Sequence, residues 1–509
     1  MRRWRLSLVI AVLAGVGCGS SGKTLLGTGG VGAGGSGGGG SGGAGNRVTG
    51  TIAGTINRDV DILFLIDDSS EMTLQQTNLI NNFPTFMTTL QSAPQGLPNL
   101  HIAVVSQDMG AGDGTIAGCN ATSGDQGIFR YVARGTCTTT NLQQGATFIS
   151  NIGGQANYTG SLADVFACIA RLGETGCGFE HPFAAILRAL GADGQPAPAE
   201  NAGFLRPDAY LAIVILTNED DCSASPGNGP NGRLPLFDTA ANNDMASQLG
   251  PPQNFRCNEF GHTCPTGVLG SNRVAPHPDR NAPNNDVTAT VDYDGCMSDD
   301  VEGYLLPVHA TATALKQLKT DPSMVFVTAI TGPATPYQVK WRNPSTADRS
   351  CGAASCPWPE MTHSCVATDG SFADPGVRNA QLAGEFGANG QVLSICDSSY
   401  APALSLIAQK INATLGPPCI AAQIALDPKT GDPDCKITQH EGTVDKTVPA
   451  CADNGGAPPC WQLMAGGPTC NGQTLSISFD PNMSASAASF SYDCGRCVAG
   501  MTDPARGCP

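Results

Sequence analysis

A chain of 509 residues with 64 glycines and 36 prolines exceeds one ordinary core and spends much of its length in loops, so one large domain with appendages is expected. Its net charge of −16 argues against nucleic acid and anionic lipid surfaces as partners and favours cations. Its 21 cysteines are far too many for a reducing compartment.

Residues 1–17 open with Arg2, Arg3 and Arg5 and continue into an apolar run, 6–16, too short for a permanent membrane span. This is the pattern of a cleaved export signal. Its end, Leu13-Ala14-Gly15-Val16-Gly17-Cys18, resembles a bacterial lipoprotein signal. The resemblance implies a signal over 1–18, lipidation of Cys18 and an anchor at the cell envelope, in the outer membrane. Gly15 stands where that pattern has an aliphatic residue, which keeps plain secretion as the alternative. Taking Cys18 from the 21 cysteines leaves an even 20, enough for about ten disulfides. Residues 19–58 read as a flexible tether: 19–45 are nearly all Gly, Ser and Ala, with an end-to-end distance of roughly 30 Å.

The chain is organised around DVDILFLIDDSSEM, residues 59–72. Ile62 to Ile66 is an unbroken apolar run bounded by acids, as in a strand buried on both faces. It ends in Asp67, Asp68, Ser69, Ser70 and Glu71, a turn that suits a hard cation at the carboxyl end of a central parallel strand. Residues 73–90 have the spacing of an amphipathic helix that Pro84 should bend, and 100–106 form a second buried strand. Residues 107–160, with Cys119 and Cys137, read as a disulfide-pinned excursion with a short strand at 128–133. Helices are expected at 162–172 and 182–190. The strand 210–216 (YLAIVIL) ends in a second acidic cluster, Thr217-Asn218-Glu219-Asp220-Asp221-Cys222. Residues 223–300 form a long Asn-, Pro- and Gly-rich insertion. A helix at 304–318, a strand at 324–330, a third insertion over about 333–390, a short strand at 392–395 and a helix at 400–415 complete the alternation. That order predicts an α/β fold, a doubly wound, mostly parallel sheet of Rossmann type with right-handed crossovers. Residues 417–509 hold eight cysteines among turns and read as a small disulfide-held C-terminal module.

The Asp67 motif, the second acidic strand end and the strand–helix order resemble the von Willebrand factor A domain over 59–416, in a Cys-rich exported branch. The resemblance implies a metal-ion-dependent adhesion site with the pattern D-x-S-x-S in the first loop, a Thr from a second and an Asp from a third, and a partner carboxylate completing a magnesium shell. Asp67 and Ser69 match, and Glu71 replaces the second serine. The second-loop position falls near Glu180, with Thr175 the lesser candidate, and the third falls on Asn218 beside Glu219 and Asp220. Added carboxylates neutralise a divalent ion internally and weaken its pull on a partner. They favour a Ca2+-type structural site, or no metal, over a partner-capturing Mg2+ site.

Asp61 marks the strand's entrance. Cys257-x4-His262-x-Cys264 has zinc-like spacing, but disulfides are the better reading in an exported chain. Cys494-Gly495-Arg496-Cys497 lacks the βαβ context of a redox motif and is read as structural. The G-x-S-x-G matches at 34–38 and 39–43 lie in the Gly-rich tract, follow no strand and form no nucleophile elbow, and the sequence assembles no catalytic triad. The expected function is protein recognition or adhesion by a non-enzymatic, envelope-anchored protein. A metal-dependent envelope enzyme and a structural lipoprotein with a non-functional site are the alternatives.

Overall fold

The computed structural model describes residues 47–508 apart from 54–56, 93–95, 113–118, 120–122, 136, 225–235, 239–248, 250–253, 266–285, 287, 302, 343–357, 416–418, 421, 442–443, 458, 466–472, 479–487 and 499. The export signal, Cys18 and the Gly-rich part of the tether lie outside the described residues.

The centre is a seven-stranded sheet in the order Gly390–Ser394, Val325–Thr331, Tyr210–Leu216, Asp59–Ile66, Asn99–Ser106, Ile149–Ile152 and Gln155–Ala156. The first five strands are parallel and the last two antiparallel. Both faces of the Asp59–Ile66 strand are covered, which explains its unbroken apolar run. Val60, Ile62, Phe64 and Ile66 pack with helices Thr73–Gln91, Leu162–Ala170 and Ala401–Leu415. Leu63 and Leu65 pack on the other face with helices Pro182–Leu190, Val308–Lys316 and Val377–Gly384. Phe64 meets Phe83, Phe86 and Phe166 in one aromatic cluster. Helix Thr73–Gln91 continues through Pro84.

Several expected elements are corrected. No strand forms at 128–133: Arg130 N donates once to Val104 O (2.7 Å), and Asn201 Oδ1 takes the Phe129 amide. The excursion instead extends the sheet with the hairpin Ile149–Ala156, turning at Gly153 and Gly154, whose φ of 58° and 79° favours glycine. The helix expected at 304–318 spans only Val308–Lys316, because Leu305 bridges to Ala224 and Leu306 N bonds Ser223 O before Pro307. The two later insertions are more than loops. Their strands Thr290–Tyr293, Tyr337–Arg342 and Trp358–Met361 pair as an antiparallel sheet over Val291, Tyr293, Tyr337, Val339 and Trp341. They also supply helices Phe255–Gly261 and Val377–Gly384.

The tether ends earlier than expected. Arg47–Ala53 is a strand paired antiparallel with Ala488–Gly495, so the segment before the core and the segment after it share one sheet. That four-stranded sheet packs with the three-stranded sheet of Cys419–Ile420, Gln473–Ser478 and Cys460–Ala465 through Ile437, Trp461, Leu475 and Phe490. Edge pairing to a disulfide-held module supplies partners that the local sequence of 47–53 lacks.

Candidate functional site

Register builds the site. Ile66 lies opposite both Ser106 and Leu216, and Leu216 lies opposite Ile330, so the strands end level and their next residues meet at the sheet's carboxyl crest. Asp67 N donates to Leu216 O (2.9 Å), and Thr217 N donates to Ile330 O (3.2 Å). Asp67 is fully buried. Its Oδ1 accepts the Ser69 amide (2.7 Å) and its Oδ2 accepts the Thr217 hydroxyl (2.8 Å). Burial pushes its carboxyl up, against the pull of Ser69, Thr217 and the Asn218 amide. Gln76, from the following helix, clamps the turn by donating to Asp67 O and Gly173 O (2.8 Å each).

Around this carboxylate three buried oxygens from three loops have no hydrogen-bond partner: Ser69 Oγ, Glu180 Oε1 and Asn218 Oδ1. Glu180 is held by Cys222 N, which donates to its carbonyl (2.7 Å). Burial raises the Glu180 carboxyl well above the usual range, and the charges of Glu219 and Asp67 add to that. Glu219 is raised likewise, by burial first and then by Asp374, while Asn254 Nδ2 donates to its Oε2 (2.7 Å). Asp68 is pushed up to about 8 by burial and then by the charges of Asp67, Asp125 and Asp108, and its Oδ1 is also unpartnered. Gly176 comes so close to Asp68 that a Cβ there would lie 2.5 Å from Asp68 Oδ1.

The remaining acids of the second cluster do other work. Asp220 accepts the amides of Arg378 (2.8 Å) and Asn379 (3.0 Å) at the start of helix Val377–Gly384, and His262 Nε2 at 2.8 Å. Its carboxyl is held low by His262 and these two amides, which together outweigh the larger single effect of burial. Asp221 pairs with Arg378 (3.0 Å) and accepts the Phe183 amide (3.1 Å), and Ser223 Oγ accepts the Ala184 amide (2.9 Å). These residues cap two helices from distant points in the chain.

Two of the predicted ligands sit apart from the others. Asp220 has its lone pairs taken by amides and His262. Glu71 is exposed, at a φ of 75°, outside the burial that Asp67, Ser69, Glu180 and Asn218 share. Thr175 is exposed too, whereas Glu180 is 1% exposed. Sequence reasoning missed Thr217, although it directly follows the apolar run, and also Asn254 and Arg378, which no local signal marks.

An ion bound here would meet oxygen donors only, the set a hard cation takes. Among the described residues no three Asp, Glu, His or Cys side chains group closely enough to hold a metal. Such an ion has to draw on the Ser69 and Asn218 oxygens. The Glu180–Glu219 side lies beneath Asn254, Cys257 and His262, around a cavity of about 10 Å3, room for one water-sized sphere. Cys222–Cys257 ties that cover to the loop, and Cys119–Cys177 ties two neighbouring loops together.

The zinc spacing resolves into disulfides: Cys257 pairs with Cys222 and Cys264 with Cys296, while His262 Nδ1 lies 2.8 Å from the Tyr337 hydroxyl. Cys494 pairs with Cys435 and Cys497 with Cys508, so the C-x-x-C is no redox pair. Eight disulfides among the described residues fit an exported protein.

No family model and no curated protein matches the chain. Solved structures similar to it include the pilus adhesin SpaC from Lactobacillus rhamnosus GG (14% identity, TM-score 0.28, covering 87% of this chain and 40% of that one). Others are a von Willebrand factor type A protein from Catenulispora acidiphila (10%, 0.25, 88% and 60%) and the pilus adhesin RrgA from Streptococcus pneumoniae (10%, 0.27, 88% and 58%). The chain spans less than two thirds of each. Likeness at this level is too low to carry function.

Proposed function

We propose that this is an exported recognition protein whose von Willebrand A-like core holds one calcium-type cation as a structural element and presents the disulfide-pinned crest loops to a protein partner. Parallel strands with helices on both faces support the doubly wound A-type reading. The observation that carries the cation is Asp67: a fully buried carboxylate with no Arg, Lys or His ion-pair partner among the described residues, beside three unpartnered oxygens. A buried carboxylate without a counter-charge is costly to keep ionised, and a bound cation would offset that cost. With Asp67, Ser69, Glu180 and Asn218 each at most 3% exposed, a partner's carboxylate has no open route to such an ion. This favours a structural Ca2+ over a partner-capturing Mg2+. Rigid loops around it suit recognition. The lipid anchor at Cys18 and the Gly-rich tether complete the proposal as the means of holding the domain at the envelope.

Calorimetric and thermal titration of the chelated protein with CaCl2 and MgCl2 tests the reading. One tight calcium site, absent in Asp67→Asn and weaker for magnesium, is expected. No heat and no thermal shift with either ion would overturn it.

A further inference from the structure

The outer face of the four-stranded sheet carries a constellation that no single stretch of sequence shows. Ile437, Val448, Phe490 and Tyr492 turn inward to the core of the C-terminal module, so their strand neighbours point outward. The antiparallel register then sets His440 opposite Asp445 on one neighbouring strand and a diagonal step from Ser491 on the other. His440 Nδ1 lies 2.6 Å from Asp445 Oδ1, and Nε2 lies 2.8 Å from Ser491 Oγ. A carboxylate only accepts, so Nδ1 carries the ring proton and Nε2 is left to accept the serine hydroxyl. That is the order of nucleophile, general base and orienting acid in acyl transfer. The His440 side chain is 33% exposed and that of Asp445 is 67% exposed, so the group is open to a substrate from solvent.

Ser491 lies opposite Thr51 on one side and Thr438 on the other. Residues paired across strands share a face with Cβ atoms about 5 Å apart, so two hydroxyls flank the nucleophile where a tetrahedral intermediate gathers charge. The neighbouring outward positions are Thr49, Lys436, Thr447 and Asp493. A polar face offers a long acyl chain little to pack on, and its openness admits a bulky hydrophilic carrier.

We propose that Ser491, His440 and Asp445 form a nucleophilic triad that hydrolyses short-chain acyl esters of a hydrophilic carrier, independently of the cation site at the sheet crest. Ser491 Oγ bonds to the ester carbonyl carbon as its proton passes to His440 Nε2. The bond from that carbon to the carrier oxygen breaks, and the carrier leaves as an alcohol with the proton. Water then attacks the acyl-serine, the carboxylic acid departs, and the water's proton returns through Nε2 to the serine oxygen.

The test is labelling of the full chain with a fluorophosphonate, mapped by mass spectrometry, together with p-nitrophenyl acetate hydrolysis. An adduct on Ser491 and a burst of nitrophenol are expected. His440→Gln should slow both by roughly a hundredfold, and Asp445→Asn by roughly tenfold because the acid is so exposed. His309→Gln removes an exposed histidine paired with Glu385 elsewhere and should change neither. Labelling of the parent needs no variant to fold, and absence of an adduct on Ser491 would by itself overturn the proposal. So would an adduct that forms as fast in His440→Gln, or hydrolysis that falls equally in His309→Gln. Equal hydrolysis of p-nitrophenyl decanoate would overturn the short-chain assignment.

Discussion

Asp61 and Asp67 stand on one strand and its first turn, both fully buried, and their surroundings are opposite. Asp61 accepts the Arg206 amide (2.7 Å) and Nε (2.8 Å), with Lys319 Nζ at 3.6 Å and the His101 ring at 3.6 Å. Asp67 has only neutral donors, with the carboxyls of Glu180 and Glu219 near enough to be shifted by it. The chain pairs the buried acid at the amino end of the strand with its own cations, and gives the one at the carboxyl end no ion-pair partner among the described residues. The contrast teaches that burial of a carboxylate says little until its counter-charges are traced.

The largest expected effect comes at the compensated end. Asp61→Ala leaves Arg206 and Lys319 facing a hole, which should cost about 3–5 kcal/mol in urea unfolding, the same with calcium or chelator. A loss dependent on calcium would break the comparison. At the other end, calcium at about 100 times its Kd should stabilise the parent by about 2.7 kcal/mol, and Asp67→Asn should abolish that increment without needing calcium to fold. Thermal melts with and without chelator read both arms. Asp220→Asn sharpens the contrast within the second acidic cluster. It weakens charge-assisted bonds to two helix amides and His262, for a loss of about 1.5–3 kcal/mol, and leaves calcium affinity intact. If calcium binding fell in step, Asp220 would belong to the ion's shell after all.

The smallest effect is a pH slope at the Asp61 end. Burial lowers the His101 pKa, and its Nδ1 lies 2.8 Å from Phe204 O. Below about 6.5 the unfolded chain binds a proton that the native ring resists, so stability is present above that pH and is lost as pH falls. His101→Gln should flatten this decline by at most about 1.4 kcal/mol per pH unit in acid-side unfolding curves. An unchanged slope would mean that the ring takes up its proton in the folded protein.

Much of the core was legible in the sequence. The apolar runs before Asp67 and Thr217 came out as adjacent parallel strands, and helix Pro182–Leu190 lies where its spacing puts it. The helix Val377–Gly384 was not legible. Its first amides are fixed by Asp220, 158 residues away, and its own sequence carries no side-chain cap. The strand Arg47–Ala53 was lost for the same kind of reason, since its partner lies at the far end of the chain.

Sequence alone determined the buried strands, the acidic character of two strand ends and the oxidising compartment, because apolar runs and cysteine content act locally or through composition. Tertiary structure decided which side-chain oxygens remain unpartnered. Asn218, Glu219, Asp220 and Asp221 are consecutive, yet Asp220 and Asp221 are occupied by helix amides, His262 and Arg378, while Asn218 Oδ1 stays unpartnered. A lone pair is claimed by whichever donor the fold brings within about 3 Å, and those donors come from segments that no local pattern connects.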